Sequence, residues 1–253
     1  MGRQSLTATF AGLARSKITI PRPNARYVER PRLLDKLDQL VFSNKVTLIQ
    51  APAGYGKSSL LSSWALTKIS NAKDSALPQP KIAWLNCDIS DEDPFLFLIN
   101  IIHSLSNRGI EIDEHVLKLT QNRKFTTPEI LAIELANNIY SANHDIVLCI
   151  DDLHSISNSP SIEILATLIE NTPSDFHFII ASREAIKFAT GRLQTYGKAT
   201  ELGVDELRFD NDEMLEFFNR SGPPDLNSDE LDIIGTNTEG WAAGLRLASV
   251  VLS

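Results

Sequence analysis

The segment Ala51-Pro52-Ala53-Gly54-Tyr55-Gly56-Lys57-Ser58 contains the residue types that bind the phosphates of a nucleotide. Glycines at 54 and 56 allow a tight backbone turn that brings N–H groups close to phosphate oxygens. Lys57 supplies a mobile cation for the β- and γ-phosphates, and Ser58 supplies a hydroxyl group for Mg²⁺. The segment therefore predicts a phosphate-binding loop.

The residues on either side of this loop support the prediction. The run Val46-Thr47-Leu48-Ile49-Gln50 is apolar and β-branched, as a buried parallel strand should be, and residues 59–66 have helical composition. A helix that begins near Lys57 directs its positive N-terminal end at the bound phosphate. One position departs from the usual pattern, because Ala51 stands where such loops begin with glycine. A small side chain is acceptable there provided that φ stays negative.

A second run of residues ends in two carboxylates, Ile146-Val147-Leu148-Cys149-Ile150-Asp151-Asp152. Five consecutive apolar residues predict a fully buried strand that delivers both acids to the carboxyl edge of a sheet. Asp151 is placed to hold the hydration shell of Mg²⁺, as the Walker-B acid does in P-loop enzymes. Asp152 is placed to polarise an attacking water. An Asp-Asp pair after a strand is often only a turn, but the upstream phosphate loop favours the catalytic interpretation.

Two further strands end in polar residues. Residues 176–183 form an apolar run that ends in Ser182 and Arg183, and either residue would lie near the γ-phosphate if its strand neighbours that of Asp151. The alternative is an ordinary surface arginine. Asp88 follows the apolar run 82–85, where it is either a ligand of a magnesium-bound water or a solvated loop acid.

Composition narrows the class of protein. The chain has 253 residues, a formal net charge of −8 and a pI of about 5.2, with no dense cluster of lysine and arginine. Direct binding of nucleic acid is therefore not expected. Cys87 and Cys149 lie in or beside predicted strands without metal-ligand spacing, which predicts buried reduced thiols in a cytoplasmic protein. The sequence shows neither an apolar run of membrane-spanning length nor a signal peptide.

The chain divides into three predicted parts. Residues 1–17 are polar and small and are expected to form a loose N-terminal arm. Residues 18–210 contain the alternating strands and helices of an α/β nucleotide-binding domain. After a break at residues 221–224, only helical patterns follow, so residues 211–253 are predicted to begin a helical module on the lid or winged-helix side. The proline-rich strip 18–31 either covers the base of a nucleotide or is a plain linker.

The order of these motifs resembles a known family, the signal-transduction ATPases related to the maltose-regulon activator MalT. These are P-loop NTPases of the STAND class in the ATP-dependent branch of LuxR-type transcriptional regulators. The similar segments are Val28-Glu29-Arg30-Pro31-Arg32-Leu33-Leu34, the loop at 51–58, Trp84-Leu85 with Asp88 and Asp91-Glu92-Asp93-Pro94-Phe95, Ile150-Asp151-Asp152-Leu153-His154, Ala181-Ser182-Arg183 and Gly240-Trp241-Ala242-Ala243-Gly244-Leu245. Six motifs in the same order are specific, and small residues at the position of Ala51 are frequent in this group.

The resemblance implies a fold and a set of site residues. The fold is a five-stranded parallel sheet in the order 5-1-4-3-2, flanked by helices and followed by a small helical module. The implied catalytic residues are Lys57, Asp151, Asp152 and Arg183, and the implied magnesium ligands are Ser58 and Asp151. The residues expected to bind ATP or ADP are Val28, Arg30, Ala53, Gly54, Tyr55, Gly56, Lys57, Ser58, Ser59 and Trp241. Among them, Val28 and Arg30 would lie by the adenine, Arg183 would sense the terminal phosphate, and Trp241 would reach the pocket from the helical module.

The resemblance also implies a function, a Mg²⁺-ATP-binding switch with slow hydrolysis that controls ATP-dependent self-assembly. Regulators of this kind continue into effector-sensing repeats and a C-terminal helix-turn-helix, so we expect either a truncated piece or a stand-alone switch module. The alternatives are a small-molecule P-loop kinase and a nucleotide-dependent scaffold without turnover. A kinase would need an arginine-rich lid, whereas the chain has only scattered Arg192, Arg208 and Arg220.

Overall fold

Five parallel strands form one sheet at the centre of the chain. The computed structural model describes residues 13–24, 27–72, 79–142, 145–156, 159–186, 199–221 and 226–252. The strands are β1 Val46–Gln50, β2 Lys81–Asn86, β3 Ile146–Asp151, β4 Phe176–Ser182 and β5 Ala199–Leu202. Their order is β2-β3-β4-β1-β5, which confirms the predicted order 5-1-4-3-2 read from the opposite edge.

Helices lie before, between and after the strands. In the described residues they are α1 Pro31–Ser43, α2 Lys57–Asn71, α3 Pro94–Asn107, α4 Glu114–Gln121, α5 Pro128–Tyr140, α6 Ser161–Asn171, α7 Val204–Leu207, α8 Asn211–Ser221, α9 Ser228–Thr238 and α10 Ala242–Val251. Short 3₁₀ helices occur at Arg15–Ile18, Ile89–Glu92 and Leu153–Ile156. None of the helices in these described ranges is long and apolar enough to cross a membrane.

The starts of two helices follow directly from local sequence. α3 begins at Pro94, and the Asp93 side chain accepts hydrogen bonds from the N–H groups of Phe95 and Leu96. α5 begins at Pro128 after Thr127, whose side chain accepts from an N–H of the first turn. Proline suits the first helical position because its missing N–H would have no partner within the helix, and Asp and Thr satisfy the N–H groups that follow.

The sheet separates two apolar layers. In β3, Leu148 and Ile150 face a core that includes α3, α5 and α6, whereas Val147 and Cys149 face the core formed with α1 and α2. All six residues of β3 are buried, as the continuous apolar run predicts for a strand covered on both faces. Both free cysteines are buried, in agreement with the prediction.

A third, smaller core lies in the C-terminal helices. Met214, Phe217 and Phe218 of α8 pack with Leu245 of α10, and Val28 from the proline-rich strip completes the cluster. This strip therefore packs against the helical module. The boundary at residue 210 stays a prediction.

A buried ion pair lies just beyond the carboxyl end of β2. Of the predicted arm, residues 1–12 lie outside the described residues, and Arg15–Ile18 forms a 3₁₀ helix. From it, the Lys17 ammonium lies 2.6 Å from Asp91 Oδ2 and 2.9 Å from Asp88 Oδ1. Asp91 is fully buried and also accepts hydrogen bonds from the Asn100 amide and the Asp88 N–H. Its charge is thus almost completely satisfied.

Removing Lys17 should destabilise the protein strongly. Lys17→Met leaves the buried Asp91 carboxylate without its cation, and breaking such a pair costs about 3–5 kcal/mol of unfolding free energy. The control is Lys118→Met, because Lys118 pairs with Glu114 on the surface, where a pair is worth about 0–1 kcal/mol. Urea unfolding of the three proteins measures both effects, and equal losses in the two variants would contradict the structural role of Lys17.

Candidate functional site

The predicted phosphate loop joins β1 to α2. Gly54 and Gly56 have φ values of +85° and +79°, in the left-handed region that glycine adopts readily, and α2 begins immediately afterwards at Lys57. Ala51 is buried, and its N–H donates to the Ser182 carbonyl across the sheet. It is not among the residues with positive φ, so its methyl group causes no backbone strain. The substitution of glycine by Ala51 is therefore compatible with this loop.

Lys57 is held over the loop by the loop's own backbone. Its ammonium group donates to the Ala51 carbonyl at 2.6 Å and to the Pro52 carbonyl at 3.0 Å. Burial lowers the pKa of Lys57, and the positive charge of Arg183 lowers it further. The amine is thus a desolvated cation close to a second cation, an arrangement that favours binding of an anion.

Asp151 and Ser58 meet next to this lysine. Asp151 is the last residue of β3 and only 3% exposed, and the Ser58 hydroxyl hydrogen-bonds to its carboxylate. Burial raises the pKa of Asp151 from its ordinary value of 3.8 to about 6, although the hydrogen bond from Ser58 opposes the shift. A hydroxyl and a carboxylate in contact are the two protein ligands that Mg²⁺ uses beside a nucleotide.

Asp152 has an unusual backbone conformation. Its φ is +54°, and its N–H donates to Asp151 Oδ1 at 2.9 Å. Such a conformation is uncommon outside glycine, although Asp adopts it more readily than most residues. It turns the chain at the end of β3 into the 3₁₀ helix Leu153–Ile156.

The structure adds His154 to this cluster. Its Nδ1 lies 3.7 Å from Asp152 Oδ1, too far for a hydrogen bond, and this nitrogen is buried without a hydrogen-bond partner in the described part of the chain. Burial lowers the pKa of His154, and Arg183 lowers it further, so both effects favour the neutral imidazole. His154 stands in the family segment Ile150-Asp151-Asp152-Leu153-His154 but was not among the predicted site residues.

Strand pairing places Arg183 at the same edge. Ser182, the last residue of β4, pairs with Gln50 of β1, so the exposed Arg183 follows the sheet beside the start of the phosphate loop. The Ser182 hydroxyl donates to the Glu184 carbonyl. Of the two candidates, Arg183 is the one whose charge acts on the site, because it lowers the pKa values of Lys57 and His154. Asp88 is likewise engaged elsewhere, with Lys17 and Ser90.

A cavity of about 490 Å³ lies beside the loop. Its lining includes Val28, Arg30, Gly54, Gly56 and Ser59 from the predicted set. It also includes residues outside that set, Asn24, Tyr27, Leu60, Phe209, Phe217, Ala242, Ala243, Arg246 and Leu247. Asn24 and Tyr27 belong to the proline-rich strip 18–31, and Ala242 and Ala243 belong to the segment 240–245, whereas no motif marks the other residues.

Arg30 lies at this cavity, but its guanidinium has a structural task. It donates to the carbonyls of Leu207 and Arg208 and pairs with Glu213 at 2.6 Å. It also lies over the Phe209 ring, 4.1 Å from its centroid. Only 3% of Arg30 is exposed, so this cation connects the proline-rich strip to α8.

Trp241 reaches the phosphate loop from the helical module. Its indole N–H donates to the Ala53 carbonyl at 3.1 Å, and its ring lies 6.4 Å from that of Tyr55. The structure therefore brings Trp241 next to Ala53 and Tyr55 of the phosphate loop, and their role in nucleotide binding stays a prediction.

The chain is similar in sequence to known regulatory proteins. No family model matches the chain. The chain is 28% identical to the HTH-type transcriptional regulator MalT of Vibrio campbellii over 93% of its length, and 29% identical to the serine/threonine-protein kinase PknK of Mycobacterium tuberculosis over 91%. It spans 25% of the first relative and 20% of the second, so the activities of those whole proteins do not transfer directly.

Two solved structures share the architecture. The Walker-type ATPase of Pyrococcus abyssi superposes with a TM-score of 0.58 and 16% identity, over 91% of this chain and 69% of that one. A chain of the Drosophila ORC bound to DNA superposes with a TM-score of 0.54 and 14% identity, over 99% of this chain and 61% of that one. At such low identity the likeness concerns the fold alone, and it confirms the predicted fold of P-loop ATPases.

Because Asp151 is buried, the unfolding free energy of the protein should depend on pH. Because the pKa of Asp151 in the folded protein lies above its value in the unfolded chain, the unfolded chain loses this proton first as the pH rises. This carboxyl therefore lowers stability progressively between about pH 4 and pH 6, and the full cost persists above that range. Without Mg²⁺ and nucleotide, Asp151→Asn should raise the unfolding free energy at pH 7 by up to about 3 kcal/mol. Below about pH 4 the gain should vanish. Urea unfolding at both pH values tests this, and an equal gain at both would contradict it.

Proposed function

We propose that this chain, a MalT-like ATPase module, is a Mg²⁺-ATP-binding switch that hydrolyses ATP slowly. The observation that carries the proposal is the meeting of Lys57, Ser58 and Asp151 at one sheet edge, beside an open cavity. A flexible glycine loop, a cation, a hydroxyl group and a buried carboxylate are the groups that bind a nucleoside triphosphate with its metal ion.

The phosphates would bind at the N-terminus of α2. The N–H groups of the loop and the Lys57 ammonium supply the hydrogen bonds, and Lys57 exchanges its two carbonyl partners for phosphate oxygens. Ser58 and Asp151 would hold Mg²⁺. No group of three or more metal-binding side chains occurs in the described ranges, which suits a cation whose other ligands are phosphate oxygens and water. Bound Mg²⁺ neutralises charge on the phosphates.

Hydrolysis would depend on the groups around the far end of the phosphates. Asp152 is oriented by its turn conformation and would accept a hydrogen bond from the attacking water. Arg183 is exposed at the same edge, and its charge lowers the pKa values of both Lys57 and His154. It would therefore sense the terminal phosphate electrostatically.

The base of the nucleotide would enter the cavity. Val28, Tyr27, Phe209 and Phe217 provide apolar and aromatic surface, and a cavity of about 490 Å³ falls in the ordinary range for small ligands. Val28 also belongs to the core of the helical module. A ligand in this cavity would contact both the α/β domain and the module, so its presence would influence their relative position.

The similarity to MalT supports a proposal for the biological role of the chain. Two ligand states shift a population only if their affinities for its conformations differ, and slow turnover lets each state persist. We therefore place the chain in a cytoplasmic transcription regulator whose ATP state controls assembly. Effector sensing and DNA binding would belong to separate regions, since the negative net charge argues against DNA binding here.

Removing the cation of the loop should severely weaken nucleotide binding. Lys57→Ala deletes charged hydrogen bonds to two phosphates, so binding of ATP with Mg²⁺ should weaken on the order of 100-fold or more. Titration calorimetry measures the affinity. Lys68→Ala is the matched control, because Lys68 lies in the same helix but pairs with Asp38. Equal binding by wild type and Lys57→Ala would contradict the proposed site.

Removing the proposed water-polarising group should separate binding from turnover. Asp152→Asn keeps the size and polarity of the side chain but removes its basicity, so ATP affinity should stay within about threefold while phosphate release falls at least about 100-fold. Calorimetry and a phosphate-release assay without any acceptor measure the two quantities. Binding without release by the wild type would favour a scaffold, and release only with an added acceptor would favour a kinase.

A further inference from the structure

The first turn of α10 is bonded to the carbonyl side of the phosphate loop. The Ala243 N–H donates to the Gly54 carbonyl at 3.0 Å, in addition to the bond from the Trp241 indole to the Ala53 carbonyl. Trp241 is the N-cap residue of α10, and its side chain makes no capping hydrogen bond. The first N–H groups of a helix lack partners within it, so the loop carbonyl supplies one that the helix needs.

This contact leaves no room for a side chain at Gly54. A Cβ atom at this position would lie 2.7 Å from Ala243 Cβ and 2.8 Å from Trp241 Nε1. By contrast, a Cβ atom at Gly56 would meet nothing within 4 Å. Both glycines have positive φ, but only Gly54 is also required for close packing against α10. The phosphate loop and the start of α10 are therefore closely packed at Gly54.

These two hydrogen bonds also orient two N–H groups of the phosphate loop, because of the geometry of the peptide unit. In a trans peptide unit the C=O and N–H groups point in opposite directions. The Ala53 carbonyl shares its peptide unit with the Gly54 N–H, and the Gly54 carbonyl shares its unit with the Tyr55 N–H. Holding both carbonyls toward α10 fixes the two N–H groups on the other side of the loop.

We propose that Trp241 and the Ala243 N–H are positioning groups, which aim the N–H donors of Gly54 and Tyr55 at the phosphates of the nucleotide. This proposal rests on the proposed function of the site. Phosphate binding orders the same two peptide units from their N–H side. Docking of α10 and binding of nucleotide therefore strengthen each other, and the coupling is reciprocal.

The path continues from α10 to the cavity. The Phe209 N–H donates to the Gly240 carbonyl, and a Cβ atom at Gly240 would lie only 2.6 Å from the Phe209 carbonyl oxygen. Phe209 lines the cavity and lies under the Arg30 guanidinium. The residue next to Trp241 is thus fixed to the lining of the cavity, so the helical module contacts both the phosphate loop and the predicted base pocket.

Trp241→Phe tests the proposal, because it keeps an aromatic ring near Tyr55 but removes the indole donor. Loss of one hydrogen bond should weaken binding of ADP and ATP with Mg²⁺ about threefold to tenfold in calorimetry. The matched control is Trp64→Phe, which also loses one indole bond, here to Asp38 and away from the loop carbonyls. This variant should bind within about twofold of wild type.

Hydrogen exchange supplies a readout that a merely structural role would not change. Saturating Mg²⁺-ATP should slow exchange of the Ala243 amide in the wild type, and Trp241→Phe should reduce this nucleotide-dependent protection by the same factor as the affinity. Equal affinities in wild type and Trp241→Phe, or Ala243 exchange unaffected by nucleotide, would overturn the inference while leaving nucleotide binding intact. Absence of nucleotide binding by the wild type would instead overturn the proposed function, and this inference with it.

Discussion

The parallel pairing of β1, β4 and β3 is the constraint on which the site depends. In a parallel sheet all carboxyl ends lie at one edge, and the register aligns Gln50 with Ser182 and Ile150 with Ile180. The loop after β1, the acids at the end of β3 and Arg183 after β4 must therefore meet. A slip of one residue in this register would turn each strand's side chains to the opposite face and would separate these groups.

Burial of charge is the second physical feature of the site. The pKa of Lys57 falls and that of Asp151 rises, and the same cause, removal from water, produces both shifts. Each group is consequently less stable as an ion than it would be in solvent. An anionic ligand and a divalent cation would relieve both costs together, since charges interact more strongly where water is excluded. Binding of these ligands would therefore recover part of the free energy that desolvation of Lys57 and Asp151 costs the folded protein.

The helical module is attached to the α/β domain by contacts of different chemistry. Arg30 connects the proline-rich strip to Glu213 by a buried ion pair, whereas Trp241 and Ala243 bind the phosphate loop through backbone carbonyls. Val28 adds apolar packing within the module's own core. Of the residues in these contacts, Val28, Arg30 and Ala243 line the cavity, so a ligand there would influence both parts of the chain.

Local sequence determined the strand, loop and helix around Lys57, the acidic end of β3 and the order of the elements, because each depends on neighbours within a few residues. The family resemblance also accounts for alanine at position 51, since small residues are frequent there, and its backbone conformation explains why alanine is tolerated. The family resemblance implied that Trp241 reaches the pocket, but only the tertiary structure identified the bonds that do so, from the Trp241 indole to the Ala53 carbonyl and from the Ala243 N–H to the Gly54 carbonyl. Trp241 and Ala53 are 188 residues apart, and Arg30 and Glu213 are 183 apart. Contacts over such separations depend on how whole helices pack on the sheet, and no spacing in the sequence encodes that packing directly. For the same reason the cavity residues Phe209, Phe217 and Arg246 became visible only once the helices were in place.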